Sequence, residues 1–140
     1  MRRSLLLSVA LAALVVASVA IAAKPQTASA TIGELGASGI NGSADLKIDQ
    51  QSGVARIHET LSGLTPGVLY VSTINLNTPS CGTGVNVVSV EVMRFTANPA
   101  GKANFNAVVP PAAVPLFDGG ASVSVKQGTT LLACGEVIPA

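Results

Sequence analysis

The Gly-Leu-Thr-Pro-Gly stretch at residues 63–67 constrains the fold of this chain most strongly. A Pro-Gly pair specifies a tight turn, and residues 68–76 after it are apolar on both alternating positions near their start, as in a strand between packed layers. Cys81 follows this strand, and Cys134 stands near the end of the chain. Because the chain carries two cysteines, we predict one structural disulfide, Cys81–Cys134, between the loop after this strand and the last strand.

The N-terminus has the features of a secretory signal. Met-Arg-Arg at residues 1–3 precedes an apolar run over residues 5–23 that only two serines interrupt. A signal implies a secreted, periplasmic or cell-surface protein. The rival interpretation is an uncleaved membrane anchor, but the run is rich in alanine and ends in cleavage sites rather than in a basic stop-transfer flank. We therefore expect membrane contact only through this segment, if at all.

Two places in this region have the small residues of a cleavage site. We predict cleavage after Ala30, because Pro25 breaks the apolar helix just ahead of that site, and cleavage after Ala22 or Ala23 is the alternative. The signal peptide then covers residues 1–30, and residues 31–140 form a single domain.

The composition of the domain argues against nucleic acid as a partner. From residue 31 onward acidic residues outnumber basic ones, and the aromatic residues are one tyrosine and three phenylalanines. Neither phosphate neutralisation nor base stacking has the side chains that it needs.

Short runs of alternating apolar and polar residues predict antiparallel strands. A Gln-Gln-Ser-Gly turn joins residues 43–49 to 54–61, an Asn-Pro-Ala-Gly turn joins 85–95 to 102–109, and a Gln-Gly turn joins 121–126 to 130–138. Residues 31–42 are glycine-rich and predict an edge strand or a loosely held arm. Three prolines within residues 110–115 predict an extended loop. The pattern favours an all-β fold of seven or eight strands, an antiparallel Greek-key β-sandwich or flattened barrel.

The turn, the strand after it, Cys81 and the final Leu-Ala-Cys-Gly-Glu-Val at residues 132–137 resemble the framework of copper/zinc superoxide dismutases and their metal-free relatives, including chordin-type domains. The resemblance covers most of residues 31–140 and includes the hairpin at residues 42–61. It implies a superoxide-dismutase-like sandwich with one disulfide.

The metal-binding positions of that family are substituted in this chain. By position, its His-x-His pair falls on Ser72 and Ile74, a further copper-ligand histidine falls near Lys126, and the active-site arginine falls on Leu131. The sequence has one histidine, His58, and a single imidazole cannot replace the several of a copper and zinc site. The resemblance therefore implies a divergent member without the metal ligands.

We expect a non-catalytic module with a binding or cell-envelope structural role, without metal or cofactor, whose partner is an unidentified envelope or extracellular molecule. Loops at the ends of the sandwich are the expected recognition sites, with Pro79, Ser80, Phe117 and Asp118 as candidate residues. Strand addition at residues 31–42 is a further route to a partner, including a second copy in a surface polymer.

Catalytic alternatives depend on His58. One is a metal-handling or residual copper/zinc superoxide dismutase-type protein, in which His58 and carboxylates from neighbouring loops bind the metal. A Ser-His-Asp hydrolase is the other, and it lacks a nucleophile-elbow motif in this sequence. A histidine on the polar positions of a strand is more simply a solvent-facing residue.

Overall fold

A computed structural model describes residues 26–49, 51–78, 81 and 86–140. Two of the candidate recognition residues, Pro79 and Ser80, and most of the predicted signal segment lie outside these ranges. The described chain is all-β, as predicted, with one 3-10 helix, Pro111–Asp118. The strands are β1 Gln26–Glu34, β2 Asn41–Ile48, β3 Ala55–Ser62, β4 Leu69–Leu76, β5 Val88–Thr96, β6 Ala103–Val109, β7 Ala121–Gln127 and β8 Thr130–Pro139.

The eight strands form one antiparallel sheet that curls into a nearly closed barrel. Their order is β5-β4-β7-β8-β1-β2-β3-β6, so β5 and β6 are the two edges. These edges are consecutive strands joined by one turn, and they meet near that turn, where the rings of Phe95 and Phe105 lie 4.9 Å apart. Within the described residues no strand ladder joins β5 to β6. We call the gap between them the β5–β6 opening.

The first hairpin shows why the alternating pattern specifies this sheet. In β2 the side chains of Ala44, Leu46 and Ile48 are buried, whereas those of Asp45 and Lys47 are exposed. The adjacent β3 pairs with it residue for residue and has the same alternation. One face of each strand therefore packs in the core, and the other meets solvent.

The prediction that residues 31–42 form an edge strand or a loose arm is wrong. Strand β1 begins at Gln26, lies between β2 and β8, and pairs with both. Its inward positions are Ala28, Ala30 and Ile32. Alanines with small polar neighbours satisfy a cleavage-site pattern as well as a strand pattern, so the sequence alone did not reveal where this strand begins.

The prediction of an extended loop over the proline cluster is also wrong. The 3-10 helix begins at Pro111, a position where the missing N–H of proline removes no helical bond. The amide of Ala113 donates to the carbonyl of Pro110 at 2.9 Å. Ala113, Leu116 and Phe117 are buried, so this segment closes one end of the core.

The turn at residues 63–67 is held from both sides. Gly63 has a φ of 75°, and a Cβ there would collide with the backbone carbonyl of Gly39. The amide of Leu64 donates to the carbonyl of Gly101 at 3.0 Å. The amide of Thr65 donates to the phenol oxygen of Tyr70, also at 3.0 Å. Tyr70 is a packed core residue whose hydroxyl has a hydrogen-bond partner.

The predicted disulfide is confirmed. Cys81 and Cys134 are bonded across a sequence separation of 53 residues, with their Cα atoms 5.8 Å apart. A structural disulfide is typical of proteins that fold in an oxidising compartment, which fits an extracellular or periplasmic site. None of the helices in the described ranges has the length and apolar character to cross a membrane.

Candidate functional site

The structure does not bring the described candidate recognition residues together on a surface. Phe117 is 5% exposed and belongs to the core, whereas Asp118 next to it is exposed at the end of the 3-10 helix. A phenylalanine beside three prolines suggested an exposed loop tip. Its burial follows from the helical turn that those residues form.

The positions on which the metal ligands and the active-site arginine of dismutases would fall differ in their accessibility. Ser72 and Ile74 lie on the core-facing side of β4 and have no exposed surface. Lys126 and Leu131 lie opposite each other on β7 and β8, and both line a surface cleft.

The face of β4 that points away from the core carries buried polar side chains. Thr73 and Asn75 lie in register with Ser124 and Ser122 of β7, and all four are less than a tenth exposed. The hydroxyl of Ser124 lies 2.7 Å from that of Thr73 and accepts from the amide of Asn75 at 2.8 Å. Side-chain hydrogen bonds therefore join Thr73, Ser124 and Asn75 on this side of the sheet.

The network borders a cleft of about 160 Å³. Ser89 donates to the side-chain oxygen of Asn75 at 2.6 Å, and the hydroxyls of Thr78 and Ser122 are 2.9 Å apart. We call this site the polar cleft; its lining residues are Asn75, Thr78, Cys81, Val87, Ser89, Ser122, Ser124, Lys126, Leu131 and Cys134. The disulfide thus forms part of its wall.

The polar cleft presents neutral donors and acceptors fixed by their own hydrogen bonds, and Lys126 is the one cation among the described residues that line it. Such groups can orient a ligand that carries hydroxyl or carbonyl oxygens. Sequence analysis missed the site, because the alternation of Ser122 and Ser124 with valines has the same pattern as a strand with one solvated face. The sequence signal that could have found the site is that the polar residues of β7 before Lys126, Ser122 and Ser124, are both small and uncharged.

A second unusual polar group lies inside the barrel. Glu59 of β3 has no exposed surface, and its carboxyl accepts a hydrogen bond from the hydroxyl of Ser72. Burial raises the pKa of Glu59 from 4.5 to about 7, and the hydrogen bond from Ser72 partly opposes this shift. Among the described residues, the Oε2 atom of Glu59 has no hydrogen-bond partner.

This pair lies one strand inward from each edge of the sheet. Glu59 is opposite Phe105 of β6, and Ser72 is opposite Met93 of β5. The Glu59–Ser72 hydrogen bond therefore connects the two sides of the barrel next to the β5–β6 opening. It holds the strands neighbouring that opening together by a polar contact within an apolar core.

His58 lies on the outer face of β3, beside a groove of about 440 Å³. Its Nδ1 atom lies 3.1 Å from Oδ1 of Asn106, and its Nε2 atom lies 3.5 Å from the hydroxyl of Thr60. Across strands β1, β2 and β3, Ser29, Asp45 and His58 lie side by side in that order. A catalytic triad needs the histidine between the serine and the aspartate, so these three residues do not have its order. No group of three metal-ligating side chains occurs within the described ranges.

Neither the known protein-family models nor the curated protein sequences contain a match to this chain.

Proposed function

We propose that this protein is an exported, non-catalytic β-sandwich module that binds a small, uncharged ligand rich in hydroxyl groups in the polar cleft. A monosaccharide or another polyol has the required chemistry. The observation that carries the proposal is the buried row of hydroxyl and amide groups on β4 and β7, at positions where the strand pattern alone would leave them in solvent.

The chemistry of the cleft supports this ligand class. The hydrogen-bonded side chains that line the cleft, Asn75, Thr78, Ser89, Ser122 and Ser124, carry no charge, so an uncharged polar molecule meets no desolvated ion among them. Their mutual hydrogen bonds hold the hydroxyls in place before a ligand arrives, which reduces the entropy lost on binding.

The proposal includes membership of the superoxide-dismutase-like superfamily. It is supported by the all-β barrel, by the disulfide, and by the position of Lys126 and Leu131 in the wall of the polar cleft. The proposal also includes signal-directed export to the periplasm or the extracellular space, because structural disulfides form in oxidising compartments.

The test is a titration of the oxidised, isotopically labelled protein, followed through its amide chemical shifts. Glucose, galactose, myo-inositol and glycerol are the probes. We expect at least one of them to cause saturable shifts at Ser89, Ser122 and Lys126, with the amide of His58 unaffected. Removal of the hydroxyl in Ser122→Ala should weaken that binding about fivefold, as expected for one neutral hydrogen bond.

The matched control is Ser43→Ala, because Ser43 is an exposed serine on the outer face of β2. It should leave the binding unchanged. Absence of saturable shifts with all four probes would contradict the proposed ligand class. Copper and zinc are added to separate samples, and stoichiometric binding with shifts centred on His58 would favour the metal-handling alternative.

A further inference from the structure

The free edge of β5 has a sequence with internal complementarity. The strand reads Val-Ser-Val-Glu-Val-Met-Arg-Phe-Thr from Val88 to Thr96. Counted outward from its centre, between Val92 and Met93, the residues in matching positions are Glu91 with Arg94, Val90 with Phe95, and Ser89 with Thr96. These pairs are a carboxylate with a guanidinium, two apolar side chains, and two hydroxyls.

The bulge in this strand aligns the two halves on the same faces. The register with β4 shifts between Ser72 and Thr73, leaving Val92 as the extra residue. As a result Glu91 and Arg94 both lie on the outer face, although an odd number of positions separates them. Val90 and Phe95 both lie on the inner face, because they pair with the buried Ile74 and Tyr70.

The outer edge of β5 carries no strand ladder among the described residues, and its Phe95 end contacts Phe105 of β6. β5 bonds to β4 on one side, and in the described residues no strand bonds to its other side. Val88 is 48% exposed, and Val90, Val92 and Met93 are half-buried. An unpaired edge of nine residues without proline is a template for another strand.

We propose that β5 pairs with β5 of a second copy of this chain, antiparallel, about a two-fold axis between Val92 and Met93. In this register each Glu91 lies opposite the Arg94 of the other copy. In an antiparallel pair, residues directly opposite each other lie on the same face of the sheet. The outer face of the dimer therefore carries two Glu91–Arg94 pairs, one on each side of the two-fold axis. The inner faces bring Val90 of each copy opposite Phe95 of the other.

Charge complementarity selects a second copy as the occupant of this edge. Within one chain Glu91 and Arg94 already form an exposed ion pair, with Nε–Oε1 and Nη2–Oε2 distances of 2.8 and 2.9 Å. In the dimer the same four groups form two pairs between chains. An antiparallel register that placed Glu91 opposite its own copy would instead bring like charges together.

The test is sedimentation velocity of the oxidised domain at rising concentration and low salt, where charge pairs are least screened. We expect a monomer–dimer equilibrium. Glu91→Arg and Arg94→Glu should each weaken the dimer about tenfold or more, because two attractive pairs become repulsive. The double variant Glu91→Arg/Arg94→Glu restores both pairs and should dimerise like the original protein.

Mixing the two single variants gives the most discriminating result. One copy then has two arginines where the other has two glutamates, so the mixture should form a heterodimer although each variant alone dimerises weakly. Loss of the ion pair within the strand cannot explain such a rescue, because neither variant regains it on mixing.

Amide hydrogen exchange provides a measurement that needs no substitution. Protection in β5 should rise with protein concentration, whereas β6, the other edge, should not change. The proposal is overturned if the protein remains monomeric at all concentrations, if the single variants dimerise as strongly as the original, or if concentration-dependent protection appears outside β5.

Discussion

The folding stability of this protein should fall as the pH rises from about 4.5 to about 7, because of Glu59. Most proteins behave differently in this range, since their carboxylates are stabilised by ion pairs or hydrogen bonds in the folded state. Among the described residues no cation lies beside Glu59, which has no exposed surface, and its partner is the neutral hydroxyl of Ser72.

The direction follows from proton binding. In the unfolded chain the carboxyl titrates at its ordinary pKa of 4.5, and in the folded barrel burial raises that pKa to about 7. Between these values the folded state holds a proton that the unfolded state has released. Its contribution to the free energy of unfolding is complete below 4.5 and is lost as the pH passes through about 7. A shift of this size corresponds to roughly 3 kcal/mol.

Glu59→Gln tests the assignment. An amide keeps an oxygen that can accept the hydrogen bond from Ser72, and it cannot ionise. We expect this variant to lose the decrease between pH 4.5 and 7 and to be more stable than the original protein above pH 7. Urea unfolding of both proteins at a series of pH values measures the pH dependence and the difference in stability. An unchanged slope of the transition with urea concentration checks that both unfold from the same compact state.

The control is Glu136→Gln, since Glu136 is an exposed glutamate on β8. It should keep the pH dependence of the original protein. If Glu59→Gln and the original protein show parallel stability curves over this range, Glu59 is ionised in the fold, and the inferred burial of a neutral carboxyl is wrong.

Glu59 also illustrates what the sequence pattern can indicate. The alternation of β3 places Ile57 and Leu61 on the core side and Arg56, His58 and Thr60 on the other, and Glu59 falls on the core side of that count. The hairpin, the turns and the disulfide were predictable because each depends on local spacing or on a pair of cysteines. The partner of Glu59 was not, because Ser72 reaches it across the barrel from a strand of the opposite side.

The polar cleft shows a different limit. A serine on the outer side of β7 has the same sequence signature whether solvent or another part of the protein covers it, so the burial of Ser122 and Ser124 depends on tertiary packing. The β5–β6 opening was also beyond the pattern. An Asn-Pro-Ala-Gly turn between two β-type runs predicts a paired hairpin, yet β5 pairs with β4, and β6 pairs with β3.

A domain that begins at Thr31 should fail to fold, and this is the second large effect that we expect. Cleavage after Ala30 would remove Gln26 to Ala30 from β1. Those residues pair with residues 44–48 of β2 and, from Ala28, with residues 137–139 of β8. Ala28 and Ala30 are only 5% and 3% exposed. The loss therefore opens the sheet at its middle.

The energetic cost exceeds that of two alanines. Each backbone hydrogen bond lost from a ladder costs about 1 kcal/mol, and the unpaired groups of both neighbouring strands add to this. Removal of half a central strand therefore approaches the net stability of a small domain, about 5–15 kcal/mol. For this reason we propose processing after Ala22 or Ala23, which keeps β1 whole.

Two measurements test this proposal. N-terminal sequencing of the exported protein should give Ala23 or Lys24 as the first residue. Domains that start at Lys24 and at Gln26 should melt cooperatively at similar temperatures, whereas a domain that starts at Thr31 should show no cooperative transition. The Gln26 start is the matched control, because it shortens the chain without removing any residue of β1. Recovery of a folded, exported protein that begins at Thr31 would mean that the barrel does not need the first half of β1.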